Sequence, residues 1–274
     1  MAKMWKIILL ALALFAAVVA AALYRGLTVR RYRVQTGKLP AGASLRLAFL
    51  ADLHSTTYGE NQSALIRLIA EQRPDAILLG GDIVDDVKPM ENALALFDGL
   101  RALGVPTYYA SGNHELWGND YPAVRRIIEG YGIAVLDGNF VELPAGEGSI
   151  RLCGIGDPSA FRSYEKALAG AFSGLADDKF NLLFAHRPER IEQYRKYPFD
   201  LVLAGHAHGG QVRIPLILNG LFAPNQGLFP KYAGGEYRIG GTAMIVSRGL
   251  SHYPRLPRVF NPPEVVVVDI EGAQ

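Results

Sequence analysis

The chain has 274 residues, half of them hydrophobic, with a formal net charge of +2 and a single cysteine. That length and apolar share suit one large folded domain rather than a disordered chain, and the near-neutral balance gives no reason to expect a nucleic-acid partner. One cysteine excludes an internal disulfide and a thiolate cage for a metal; Cys153, within IRLCGIG, reads as a small buried hydrophobe.

Ile7 to Leu23 is unbroken apolar sequence with Trp5 and Tyr24 at its edges. Seventeen such residues fall at the short end of what crosses a bilayer, and the aromatic edges suit its interfaces. The reading taken is a retained membrane anchor over residues 1–25. A cleaved signal peptide is the alternative, with Lys3 and Lys6 in front and Ala20 and Ala22 as a small-residue site. Arg25, Arg30, Arg31, Arg33 and Lys38 outnumber the positive charges before the span, so the positive-inside rule puts the domain on the cytoplasmic face. A basic linker is expected over residues 26–43, able to lie against anionic head groups.

One domain is expected from residue 44 to 274. LRLAFLA, AILLG, VPTYYAS, IRLCGI, NLLFAH and DLVLAG read as strands, and Gln62 to Gln72, Glu91 to Leu103, Pro122 to Glu129 and Tyr164 to Ala171 as helices. Strands alternating with helices imply βαβ units and sheets covered by helices, an α/β fold. Beyond Gly209 the chain turns Gly-, Pro- and aromatic-rich, with a last strand from Val265 to Ile270.

Ligands of open α/β sheets bind outside the carboxyl ends of strands, and the strand ends here are polar. They carry Asp52 and His54; Asp82 with Asp85 behind it; Asn113, His114 and Glu115; His186; and His206 with His208, so five of the six histidines follow an apolar run. In LAGHAHGGQ, two histidines at i and i+2 can face one point, and the glycines let the backbone approach a ligand. Any single cluster could be a helix cap or a turn. Together they point to a shared metal site. Carboxylate, imidazole and amide without thiolate suit Mn, Fe, Zn or Co. Seven such groups exceed what one tetrahedral ion needs and suggest two divalent transition-metal ions with a bridging carboxylate, about 3.5–4 Å apart, the arrangement that suits phosphoester hydrolysis.

DLH, GDIVD, GNHE, the lone His186 and GHAH, in that order, resemble the motifs of the calcineurin-like metallophosphoesterases over about residues 45 to 270. The resemblance implies a four-layer α/β/β/α sandwich of two mixed sheets, here preceded by the N-terminal helix. It implies that Asp52, His54 and His208 bind the first metal, that Asp82 bridges, and that Asn113, His186 and His206 complete the second. His114 would contact the phosphate or the leaving group instead of a metal, while a metal-bridging hydroxide attacks phosphorus in line. Asp85 would support a ligand, and Glu115, where many members carry aspartate, would orient His114. Arg187 and Arg248 are candidate substrate contacts, since a guanidinium matches phosphate. Trp117 and Tyr121 are candidate pocket walls, and His252 in SRGLSHYPRLPR a rim residue. The form GHAHGGQ with SRGL and FNPPEV resembles a membrane-associated bacterial branch that includes hydrolases of UDP-2,3-diacylglucosamine in lipid A synthesis. The expected function is therefore a membrane-anchored phosphohydrolase acting on a phosphodiester or pyrophosphate, with a lipid-linked substrate favoured by the anchor and by the apolar stretch from Ile214 to Phe229. Soluble nucleotides or phosphoproteins are the competing substrates, and a non-catalytic binding protein on the same fold, at the membrane or cell wall, is the competing class. Nothing in the chain fixes an oligomeric state.

Overall fold

Strands and helices alternate as the hydrophobic pattern dictates. The computed structural model describes residues 1–118, 120–252 and 257–273. After α1 (Ala2–Ala22) and β1 (Thr28–Thr36) come β2 (Ser44–Leu50), α2 (Ser63–Gln72), β3 (Ala76–Leu79), α3 (Glu91–Leu103), β4 (Thr107–Tyr109), α4 (Tyr121–Gly130) and β5 (Ala134–Val135). The second half runs β6 (Asn139–Ala145), β7 (Gly148–Ile155), α5 (Tyr164–Phe172), β8 (Phe180–Ala185), α6 (Ile191–Tyr194) and β9 (Leu201–Ala204). The short pair β10 (Phe222–Ala223) and β11 (Gly227–Leu228), the hairpin β12 (Gly235–Ile239) and β13 (Thr242–Val246), and β14 (Glu264–Gly272) complete it.

Two six-stranded sheets form, in the orders β1-β14-β2-β3-β4-β5 and β12-β13-β9-β8-β7-β6. Neighbours from β2 to β5 are parallel, as are those joining β13, β9, β8 and β7. Successive side chains leave a strand on opposite faces, so each buried strand feeds two cores. Leu47 and Phe49 of β2 meet Leu182 and Phe184 of β8 and Leu201 and Leu203 of β9 between the sheets. Ala48 and Leu50 of the same β2, with Ile77 and Leu79 of β3, pack against Leu65, Ile69, Phe97 and Ile128 from α2, α3 and α4. Leu183, Val202 and Met244 do the same under Leu168, Phe172 and Ile191 of α5 and α6. Burying each such side chain contributes about 1.5–3 kcal/mol, and the result is the expected α/β/β/α layering.

Two segments differ from expectation. Residues 28–36, within the expected linker, form β1, paired in parallel to β14 with Tyr32 opposite Val268 and Val34 opposite Ile270. Arg31 and Arg33 alternate with Tyr32 and Val34, so the charges face solvent while Val34 and Tyr32 join the core between the sheets. A basic edge strand also discourages pairing with other chains. The region after Gly209 holds the unexpected hairpin of β12 and β13, closed across Gly240 and Gly241 with Gly240 at φ 63°. Every residue of β13 is buried. The N-terminal helix packs none of its apolar span into the domain; at its end, the Phe260 N–H donates to the Ala22 carbonyl at 2.7 Å.

Candidate metal centre

The carboxyl ends of β2, β3, β4, β8 and β9 open toward one another, and the residues that follow them turn sharply. Asp52, His54, Asp82, His206 and His208 all have positive φ, between 47° and 64°. L-residues hold that conformation at an energetic cost, and such strain gathers at functional sites. The turns are pinned to each other: the Asp52 N–H donates to Gly81 O at 3.0 Å and the His54 N–H to Asp82 O at 2.9 Å. At two positions only glycine fits the approach. A Cβ on Gly112 of GNHE would stand 2.2 Å from Asp82 Oδ1, and one on Gly249 of SRGL 2.7 Å from Asp52 Oδ2. The SRGL and FNPPEV motifs are thus part of the site's frame, since Asn261 Nδ2 donates to the His208 carbonyl at 2.8 Å.

Each histidine of the cluster is held by one ring nitrogen. His54 Nδ1 meets Asp85 Oδ2 at 3.0 Å, His186 Nδ1 the Gly80 carbonyl at 2.8 Å, His206 Nε2 Asn225 Oδ1 at 2.7 Å, and His208 Nδ1 Ser251 Oγ at 3.1 Å. The remaining nitrogens of His54, His186 and His208 converge on the two aspartates, and His206 Nδ1 lies 3.1 Å from His186 Nε2. Asp82 Oδ2 lies 3.6 Å from His54 Nε2 and 3.0 Å from His186 Nε2, while Asp52 Oδ1 lies 3.9 Å from both His186 Nε2 and His208 Nε2. Fixing one nitrogen outside sets tautomer and direction for the one inside, as ligating histidines require.

Asp52, His54 and His208 form one group whose donor atoms all lie within 4.8 Å of one another, and Asp82, His186 and His206 form another. The side-chain atoms His54 Nε2, Asp82 Oδ2 and Asn113 Oδ1 are buried with no hydrogen-bond partner. Orphaned buried polar atoms cost about 1–3 kcal/mol each, and two of these, His54 Nε2 and Asp82 Oδ2, lie 3.6 Å apart, which fits a site built to hold cations. Asn113 is almost wholly buried beside them. The oxygen and nitrogen donors suit hard to borderline divalent ions.

The electrostatics agree. Burial pushes His206 down to about 3, helped by His186 and Arg187, and pushes His208 well below its ordinary value, helped by His54 and Arg258, so both are neutral imidazoles at pH 7. Burial also works against charge on Asp82, but His186, His54 and His114 outweigh it and keep the carboxylate ionised. His186, although buried, is raised to about 10 by Asp82 and Asp52. Two buried carboxylates here demand positive charge nearby, which protonated imidazole meets and a divalent cation meets better.

His114 adjoins the cluster, its ring 4.4 Å from that of His54, and with His54 and Asp82 it forms a further group of closely placed donor atoms. Its side chain is a quarter exposed, with Nδ1 2.6 Å from Asp86 Oδ1 and Nε2 4.0 Å from Asp82 Oδ2. Asp86 was not among the expected residues, nor were Asn225 and Ser251; adjacent acids in GDIVDD were the one available hint. Glu115 does not orient His114. Its carboxylate accepts the N–H groups of Asp82, Ile83, Val84 and Gly112 and the Tyr109 hydroxyl, tying the GNHE turn to the GDIVD turn. The longer arm of glutamate serves that reach across the sheet.

The two arginines expected at the substrate are placed elsewhere. Arg187 is 6% exposed; it grips Asp157 through Nε at 2.5 Å and Nη2 at 3.1 Å and bonds Asn225 Oδ1 through Nη1 at 2.6 Å. It therefore steadies the residue that holds His206. Arg248 Nε lies 3.4 Å from Glu264 Oε2, and its side chain lines a cavity that none of the clustered acids and histidines lines. Trp117 is half exposed with its ring 5.1 Å from that of His114, as a pocket wall would be. Tyr121 instead gives its hydroxyl to Asp137, and His252 lies 5.4 Å from the Tyr58 ring. Residues 253–256 of the expected rim loop lie outside the described residues.

Comparison with known proteins agrees with this geometry. A profile of the calcineurin-like phosphoesterase family matches residues 45–210. The metallophosphoesterase YkuE of Bacillus subtilis is 28% identical over 88% of this chain and 84% of its own, and the phosphodiesterase YaeI of Escherichia coli is 31% identical over 83% of each. Among solved structures, the NAD nucleotidase NadN of Haemophilus influenzae shares the fold at 14% identity, with a TM-score of 0.53 over 76% of this chain and 46% of that one.

Proposed function

The chain belongs to the calcineurin-like phosphoesterases, hence to the divalent-metal-dependent hydrolases of phosphoester bonds, and on that premise we propose that it is a membrane-anchored phosphodiesterase with a two-ion centre. Asp52, His54 and His208 hold one ion in this reading, Asn113, His186 and His206 the other, and Asp82 stands between them. The observation that carries it is the common pattern of the histidines, each fixed outside by one nitrogen and aimed inward by the other. Ions bound there supply Lewis acidity toward phosphoryl oxygens and a lowered pKa for water. The protein's own part is orientation and proton handling. Asp86 fixes His114 Nδ1, which leaves Nε2 4.0 Å from Asp82 Oδ2, placed to stabilise charge on a bound phosphoryl group or protonate the departing oxygen. Glu115 holds the two ligand-bearing turns in register.

A diester is favoured by the likeness to YaeI, whose name is phosphodiesterase. A lipid-linked diester or pyrophosphate, UDP-2,3-diacylglucosamine among them, is favoured by the exposed apolar helix and by Leu216, Ile217, Leu228 and Phe229, large side chains standing in solvent. The helix ends against the domain at Phe260, which supports a retained anchor over a cleaved signal, and the basic residues after it support the cytoplasmic face. The test is turnover of bis(p-nitrophenyl) phosphate, p-nitrophenyl phosphate and UDP-2,3-diacylglucosamine by protein loaded in turn with Mn, Fe, Co and Zn. Diester or pyrophosphate cleavage that vanishes with chelator is expected. Faster cleavage of the monoester would refute the diester reading, and no cleavage under any metal would refute the enzyme.

A further inference from the structure

A cavity of about 420 Å³ is lined by Arg30, Arg213, Arg248, Phe260 and the 214–218 hairpin. Two of its arginines crowd Gly234, where a Cβ would stand 3.0 Å from Arg248 Cγ and 3.1 Å from Arg213 Nη1. Its charge is unbalanced. Arg30 and Arg248 share a single buried carboxylate, Glu264, at 3.9 and 3.4 Å. Arg213 bonds only neutral oxygens, of Gly209 and Asn219, and has no carboxylate at ion-pair distance among the described residues. Burial and the neighbouring Arg248 bring it down to about 10, the mark of a cation lacking its anion. The rim is apolar and fully outside: Leu216 and Ile217 at the hairpin tip are 109% and 83% exposed, and Leu216 holds φ 67° there. Arg30 belongs to the strand that follows the apolar helix, and Phe260, a lining residue, donates its N–H to that helix's last carbonyl, of Ala22.

We propose that this cavity binds the phosphate headgroup of an anionic phospholipid, with Arg30, Arg213 and Arg248 taking the phosphate and Leu216 and Ile217 entering the acyl layer. Guanidinium forks match phosphate oxygens, basic residues beside a membrane helix favour anionic lipid, and exposed aliphatic tips gain by insertion. The site is separate from the metal centre and orients the domain on the bilayer; it rests on the helix being an anchor.

The test titrates the full chain, in neutral maltoside micelles, with dihexanoyl phosphatidylglycerol, dihexanoyl phosphatidylcholine, glycerol phosphate and inorganic phosphate. Saturable binding is expected for the phosphatidylglycerol and not for the phosphatidylcholine. Arg30→Gln with Arg213→Gln should weaken it at least about tenfold. Leu216→Ser with Ile217→Ser should weaken the lipid but leave glycerol phosphate unchanged. Both pairs should hydrolyse bis(p-nitrophenyl) phosphate at the native rate, and Asp82→Asn should bind the phosphatidylglycerol normally, which separates this site from the metal centre. Equal affinity for the two lipids, undiminished binding in either pair, or inorganic phosphate bound as tightly as lipid would each overturn the proposal. Membrane extraction of the chain with carbonate, a separate measurement, reports on the anchor itself.

Discussion

Single residues test the proposed division of the centre into those that hold cations and those that aim a proton. Asp82→Asn should lose both metals and nearly all turnover, because its Oδ2 faces His54 from one group and His186 from the other; metal analysis finding two ions at native occupancy would refute the bridging role. Asp86→Asn should keep both metals and the native Tm while turnover falls about 10- to 100-fold, as expected when the partner of a working imidazole is removed. Metal loss in that variant would place His114 among the ligands. Asp157 and Arg187 form a buried pair outside the cluster, and breaking it with Asp157→Ala should cost about 3–5 kcal/mol by leaving the guanidinium uncompensated. Burial works against the Asp157 carboxylate, but Arg187 holds its pKa below the ordinary 3.8. Its folded value is lowered, so the pair's stabilisation is complete above about pH 4–5 and fades as pH falls through that lowered value. The gap in Tm between native and variant protein should narrow on acidification; a gap independent of pH would mean that Arg187 does not set it.

Elements show which parts of the fold a sequence can announce. The helix at Glu91–Leu103 was legible to the residue, because Phe97 and Leu100 recur at helical spacing and Gly104 takes the left-handed cap that ends it. The clustering of acids and histidines was legible because chemistry repeats at the strand ends. The residues behind them were not: Asn225, in the turn between β10 and β11, and Ser251, after β13, come from distant loops and carry no spacing signal. β1 was hidden because four arginines between residues 25 and 33 look like a solvated flank, and only the open edge of β14 makes a strand of them. Truncation tests this. A chain starting at Gly26 should fold, since β1 and its hydrogen bond from Thr28 N to Pro263 O survive. One starting at Leu39 loses β1 and bares Val266 and Val268 along an unpaired edge, so it should unfold at markedly lower temperature or aggregate. Equal Tm for the two would show β1 to be decoration.

At the scale of the whole molecule, the apolar helix, the cavity of arginines and the exposed tips of Leu216, Ile217, Leu228 and Phe229 are features the domain's own core has no use for. On the proposed reading each gains by contact with a bilayer, and Phe260, which lines the cavity, is also hydrogen-bonded to the end of the helix. Tethering converts the encounter with a lipid-borne substrate into a search across a surface, with an effective concentration on the order of millimolar for short connections. A soluble substrate gains nothing from it. Protein beginning at Gly26 should therefore hydrolyse bis(p-nitrophenyl) phosphate as fast as the full chain, because every metal-centre residue lies beyond the cut. On a lipid phosphoester presented in vesicles containing phosphatidylglycerol, the full chain should be faster by roughly tenfold or more. Diluting the vesicles at constant surface composition should slow the truncated protein in proportion and leave the anchored one almost unaffected. Equal rates on vesicles at every dilution would mean that the helix only localises the enzyme and that its phosphoester comes from solution.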